Sequence, residues 1–239
     1  MKFQDLTQLL EQDESIFKPR RVEDRLIRHQ QEYNKQIQDY IKNGSKGDLY
    51  LYRAPIKALP NNLKVIGGNL GITDSQIKTL PTGLRVNGRC DLDQSSIEVL
   101  PEGLYVEEDL NIQDTPIKEL PRGLHVGNDL FAFGSEIQKV SEDIKIGSGM
   151  MLPNTKLTEF PKTTQKEFNR IFVNVTRVTS VPEGLHVRVI LNLDTTQLIH
   201  IPRDIRVDGI LSILGTPFAR KFTKSQLIKM YPYVNEWRM

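Results

Sequence analysis

Cysteine is nearly missing from this chain of 239 residues, in which Cys90 stands alone. One thiol closes no intramolecular disulfide and builds no cysteine-based zinc site, and its scarcity points to a reducing, cytoplasmic setting. Long apolar runs are missing too. No stretch approaches the roughly 18 residues of a membrane helix, and MKFQDLTQLLEQDES lacks an apolar core behind a basic start, so neither a membrane span nor a secretory leader is expected. Charge of one sign is not in excess: 32 Lys and Arg face 30 Asp and Glu, too even a balance to mark the whole surface for nucleic acid. A Walker loop, GxGxxG, HExxH and a nucleophile elbow are all absent.

What the chain does have is a repeat. Leu110, Ile112, Thr115, Ile117 and Leu120 recur at a period of twenty or twenty-one residues, first as Leu49, Leu51, Ala54, Ile56 and Leu59. Further copies begin at Leu70, Cys90, Leu130, Met150, Ile171, Leu191 and Leu211, making nine coils with the last truncated. Each coil carries two short apolar pairs of period two, such as Leu110 with Ile112 and Leu124 with Val126, which predict two short strands with those residues facing inward. Proline at 60, 81, 101, 121, 161, 182 and 202 ends one ladder and starts a bend, and glycine at 83, 103, 123 and 184 follows two places on. One coil cannot hide its apolar side from water, but coils stacked about 4.8 Å apart share backbone ladders and close a common core. The expected fold is therefore a mainly β solenoid of parallel strands. One offset holds Ala54, Ser75, Ser95, Thr115, Ser135, Thr155, Thr176, Thr196 and Thr216, a hydroxyl column expected to bond turn amides of its own and neighbouring coils.

The run Leu110-x-Ile112-x-x-Thr115-x-Ile117 resembles the leucine-rich repeat, with Thr or Ser in place of the Asn ladder. Coils reading roughly LxLxxTxIxxLPxGLxVxGD, closed by Thr216-Pro217 and the basic stretch FARKFTKSQLIKMYP, more closely resemble a mostly uncharacterised family of bacteriophage-encoded leucine-rich-repeat-like proteins. The resemblance implies architecture and no catalytic residue. It implies a non-enzymatic phage protein in the host cytoplasm, holding a host or phage protein for host takeover or defence inhibition. A virion or assembly component is the alternative, and nucleic-acid binding a third reading.

The chain divides into a helical N-terminal segment, 1–46, a solenoid, 47–217, and a C-terminal helix and tail, 218–239. After Pro19, Val22, Leu26, Tyr33, Ile37 and Tyr40 fall near one helical face, and Asn43-Gly44 supplies a stop. That helix is expected to cap the first coil or to serve docking or oligomerisation. Thr223 with Gln226 reads as a capping box, Pro232 ends the short helix, and Trp237 is expected to fold back on the last coil or to anchor a partner.

No cofactor or metal is expected: His125 and His186 share a column three coils apart, about 14 Å at the stacking distance. Two outward columns matter more. Beside the second apolar pair lie Lys64, Arg85, Tyr105, His125, Lys145, His186 and Arg206, broken only at the irregular sixth coil, an anion-binding track or a solvated strand face. Beside the first pair the outward residues are polar or small in most coils and become Phe131, Met151 and Phe172, with Phe133 adjacent, flanked by Asp91, Asp93 and Asn111. These are predicted to form a protein-binding patch with a polar rim. The competing expectation is a register slip that turns the phenylalanines inward, since Ala132 is small for a core position. Ser141 in place of proline and KTTQKEFNRI at 162–171 mark the fifth and sixth coils as irregular.

Overall fold

The computed structural model describes residues 19–239, with side chains from residue 22 onward, so the expectations for residues 1–18 lie outside it. The repeat forms a parallel β solenoid of about eight full coils and a truncated ninth. Its first strands stack as Leu49–Tyr50, Leu70–Gly71, Cys90–Asp91, Leu110–Asn111, Leu130–Phe131 and Gly149–Met151, the start of one ten-stranded parallel sheet. The second strands Val65–Ile66, Arg85–Val86, Tyr105–Val106, His125–Val126 and Lys145–Ile146 form a separate five-stranded sheet. From the sixth coil on, the two strands merge. Glu167–Phe172, His186–Asn192 and Arg206–Ser212 run through the corner as single long strands and continue the larger sheet. In the earlier coils that corner holds Gly67, Gly88, Gly127 and Gly147, and a Cβ on Gly127 would collide with the Glu107 carbonyl of the coil below.

The repeated Leu, Ile and Val positions face inward and are buried in one continuous core. Burying each such side chain contributes roughly 1.5–3 kcal/mol, which makes the inward columns the main stabilising element. The hydroxyl column is buried as well; Ser75 and Thr216 accept from the turn amides Ile77 N and Ala219 N as expected, but the commoner bond is to a carbonyl. Ser95, Thr115, Ser135, Thr155, Thr176, Thr196 and Thr216 each donate to the carbonyl three residues earlier in their own coil, as Thr115 Oγ1 does to Ile112 O at 2.7 Å. The reason lies in the turn. The residue before each column member has a positive φ, from Arg53 (54°) and Asp74 (56°) to Thr195 (54°) and Gly215 (73°), which closes a tight turn and aims the hydroxyl at the turn's first carbonyl. Val175, at φ 58°, holds a conformation that a β-branched side chain disfavours.

Helix α1, Pro19–Lys42, covers the first coil and stops at Gly44, whose φ of 77° turns the chain away. Ile37 is buried, and Tyr33, Tyr40 and Ile41 pack on the core. The side chains of α1 also complete the backbone bonding of the first coil. Gln36 Nε2 donates to Tyr50 O, Tyr33 OH to Tyr52 O, and Gln30 Nε2 to Pro55 O, at 3.1, 2.8 and 2.9 Å. Capping is thus achieved by polar side chains on the edge carbonyls as much as by apolar cover. Val22 and Leu26, expected on the capping face, are instead 73% and 44% exposed, because α1 runs on beyond the edge of the coil.

At the other end helix α2, Lys224–Met230, carries the expected capping box, with Thr223 Oγ1 accepting from Gln226 N and the Gln226 side chain accepting from Thr223 N. Trp237 does fold back and is buried, and it does so within a strand, Val234–Arg238, that pairs with Arg206–Ser212 and ends the large sheet. Phe218, Phe222, Tyr231 and Trp237 close the core with ring centroids 5.0–6.3 Å apart.

Candidate functional site

The first outward column follows the ladder. Tyr50, Gly71, Asp91, Asn111, Phe131, Met151, Phe172, Asn192 and Ser212 are successive partners in register. Ala132 is fully buried while Phe131 is only partly covered and Phe133 is 47% exposed, so there is no register slip: the small alanine faces the core and the phenylalanines face out. Phe131, Met151 and Phe172 occupy adjoining coils about 4.8 Å apart, and with Phe133 they form one apolar patch.

The rim of this patch is polar and largely bonded to itself. Asn111 Nδ2 donates to Asp91 Oδ1 at 3.0 Å, and Thr73 Oγ1 donates to Asp93 Oδ1 at 2.7 Å. On the far side Asp194 Oδ1 accepts from Ser212 Oγ and from Leu214 N, both at 2.7 Å. Partial burial, and then the neighbouring Asp93, raise the Asp91 carboxyl above the ordinary aspartate range. Neither Asp91 nor Asp93 has a cation within ion-pair distance among the described residues. Beyond them Tyr50 and Tyr52 stack with centroids 5.3 Å apart and lean over Gly71, where a Cβ would come within 2.7 Å of the Tyr50 ring. Sequence reasoning missed this aromatic pair, although a glycine at an outward strand position is the signal that a neighbour approaches closely.

The second outward column departs from its sequence outline in two places. Lys64 is not part of it. The first coil is one residue longer than most, which sets Val65 beside Arg85 and leaves Lys64 to donate to Thr82 O at 2.7 Å. The gap at the sixth coil is filled by Glu167, which pairs in register with His186. Most of the remaining members are engaged with one another or with nearby acids. Arg85 lies 3.8 Å over the Tyr105 ring and bonds Glu107 at 2.7 Å, and Tyr105 stacks on His125 at 4.4 Å with an interplanar angle of 5°. His186 sits between Asp208, at 2.7 Å, and Glu167, at 3.3 Å, while Arg206 bonds Asp208 at 2.8 Å. These bonds, Arg206 first and His186 second, hold the Asp208 carboxyl below its usual range. Lys145 and His125 are the column members without an ion pair among the described residues.

The irregular sixth coil has a structural outcome of its own. Beside residues 157–164 and Gln138–Ser141 lies an open groove of about 1280 Å³ whose lining includes Val140, Phe160, Glu142 and Lys162. No group of three or more metal-ligating side chains converges among the described residues. No described helix is long and apolar enough to cross a membrane.

No protein-family model matches the chain, and no curated protein matches it. Among solved structures the chain is similar to one described as the structure of a Shigella effector LRR domain, at 16% identity and a TM-score of 0.48, with 87% of this chain and 86% of that one covered.

Proposed function

We propose that the protein is a non-enzymatic binding solenoid that holds a protein partner on its first-strand face. One observation carries this reading: Phe131, Met151 and Phe172, with Phe133 adjacent, break a column that is polar or small in most coils, and they do so on adjoining coils facing outward. Apolar side chains placed side by side on the outside contribute nothing to the continuous core, whereas large aromatic anchors within a polar rim are what protein interfaces use for affinity. Asp91, Asp93 and Asn111 supply that rim.

The phage-like coil consensus extends the proposal: a phage product in the host cytoplasm that captures a host or phage protein, for host takeover or defence inhibition. The second-strand column favours a structural role over an anion track, because Glu167 interrupts it and Glu107 and Asp208 hold its arginines. Affinity capture from infected cells, with wild type and with Phe131→Ser/Phe133→Ser, tests both levels. A protein retained by the wild type and lost by the variant supports the face. Retention by both overturns it, and recovery of the chain at stoichiometric level in purified particles replaces capture with a virion role.

A further inference from the structure

One turn side chain is held at a cost to the fold. The position that closes each first strand is filled by Arg53, Asp74, Gln94, Asp114, Gly134, Asn154, Val175, Thr195 and Gly215, all at positive φ between 50° and 73°. Every one of these except Val175 is polar or glycine. A left-handed backbone brings the branched Cβ of Val175 close to the following carbonyl oxygen, an arrangement that L residues of this shape disfavour. The fold gains nothing in return. Val175 is 51% exposed and is neither in the core nor packed against it. Its bond to the next coil, from Val175 N to Asp194 O at 2.9 Å, is one that the amide of any residue other than proline would make.

Its place in the solenoid supplies the reason. The ladder bonds Gly134 N to Pro153 O, at 3.2 Å, and Asn154 N to Asn174 O, at 3.0 Å, set Phe133, Pro153 and Asn174 at one position on successive coils, and Val175 follows Asn174 in the same turn. Three residues before it on its own coil stands Phe172, which pairs in register with Met151 of the patch. The apolar departure therefore runs through three neighbouring columns in one block of coils: Phe131, Met151 and Phe172 in the strand, Phe133 and Pro153 at its end, and Val175 in the turn. We infer that Val175 is a contact residue for the protein partner of that patch, and that the partner reaches past the sheet face onto the turn edge of the seventh coil. This rests on the reading of the first-strand face as the binding surface, and it adds the shape of the partner: an apolar surface that follows the edge of the sheet, where a partner lying flat on the strands would leave Val175 in water. Thr195 sharpens the assignment. It is β-branched too and is held at φ 54° one coil on, but it is polar, and its coil carries Asn192 and Asp194 where the patch has apolar groups. Strain alone is shared by two turns, whereas strain together with an exposed apolar group beside the patch belongs to one.

The experiment compares Val175→Asn, Thr195→Asn and Phe131→Ser/Phe133→Ser with the wild type, by thermal melting of the purified full chain and by capture from infected cells. Asparagine accepts this turn, as Asn154 does at φ 54° one coil earlier, so both turn variants are expected to melt about 2–4 °C above the wild type. Val175→Asn is expected to retain roughly fivefold less of the protein that the phenylalanine variant loses, the effect of one half-covered valine, while Thr195→Asn retains as much of it as the wild type. A Val175→Asn chain that melts below the wild type overturns the inference, because the side chain then serves the fold. Undiminished capture by Val175→Asn, with the phenylalanine variant still losing the protein, overturns it and leaves the binding face standing. Equal losses in the two turn variants overturn it as well, since a change in the turn and not the valine would then be the cause. If the phenylalanine variant retains everything the wild type does, the binding face itself falls, and Val175 with it.

Discussion

Both outward columns of the solenoid hang on the same kind of parallel ladder, one residue per coil, yet they have been put to different use. Along the second strands most side chains are engaged by a neighbour, Arg85 on Tyr105, Tyr105 on His125, His186 between Glu167 and Asp208, with Lys145 the basic member that has no such partner among the described residues. Along the first strands the rim residues are likewise bonded to one another, but Phe131, Phe133, Met151 and Phe172 are apolar groups in an outward position. A column that satisfies itself is part of the scaffold. A column that leaves apolar area open in one place and bonds its polar members around it offers a surface to something else, and that contrast carries the functional reading.

The strongest way to break the contrast is in partner capture. Phe131→Ser with Phe133→Ser is expected to weaken binding by about 30-fold or more, since buried aromatic anchors are worth roughly 2–4 kcal/mol. Tyr105→Ala in the other column is expected to leave capture unchanged, and equal losses for the two variants would erase the distinction. Next comes stability. Leu130→Ala, one position inward of Phe131, is expected to cost about 3 kcal/mol in denaturant unfolding, as a cavity in a close-packed core. Phe133→Ser, at an exposed position, should stay within about 0.5 kcal/mol. Comparable losses for the pair would place the ring in the core. Tyr105→Ala itself removes two stacking contacts and is expected to cost about 1 kcal/mol, a test of whether the second column stabilises the scaffold at all.

The smallest effect concerns the rim. Because the folded protein raises the Asp91 carboxyl through burial and the Asp93 charge, Asp91 binds its proton more tightly folded than unfolded. Its ionisation therefore costs stability as pH rises through the folded value, and it costs nothing below the unfolded value. Asp91→Asn keeps an acceptor for Asn111 and removes the repulsion. It should stabilise the fold slightly at pH 7, by no more than about 0.5 kcal/mol at this partly exposed site and so with a small rise in melting temperature, and the gain should vanish by about pH 3. A gain that persists at pH 3 would show that charge is not its cause.

Most of the fold was legible because its causes are local and repeated. Leu110, Ile112, Thr115 and Ile117 mark the inward side without reference to anything distant, and Thr223 with Gln226 announces its own helix. The first outward column was legible too, since its members sit a constant offset from the inward ones. The second was legible only where coil length is regular. One extra residue in the first coil moved Lys64 out and Val65 in, and the irregular sixth coil hid Glu167. The final strand, Val234–Arg238, has no copy in the sequence to compare with, and its pairing depends on the sheet already being there.

The sequence by itself determined the coil: its length, its inward apolar columns, its proline bends and hydroxyl column, and the placement of Phe131, Met151 and Phe172 on one outward line. Those are periodic properties, set by the alternation of a strand and the chemistry of a bend. Tertiary structure decided what stands beside what across the coils: the two tyrosines over Gly71, Glu167 against His186, Trp237 beside Leu211 in the last strand pair, and the length of α1 that runs past the first coil exposed among the described residues. These contacts join residues about twenty or more apart in the chain, so one inserted residue or one merged corner reassigns the neighbours without changing any local pattern.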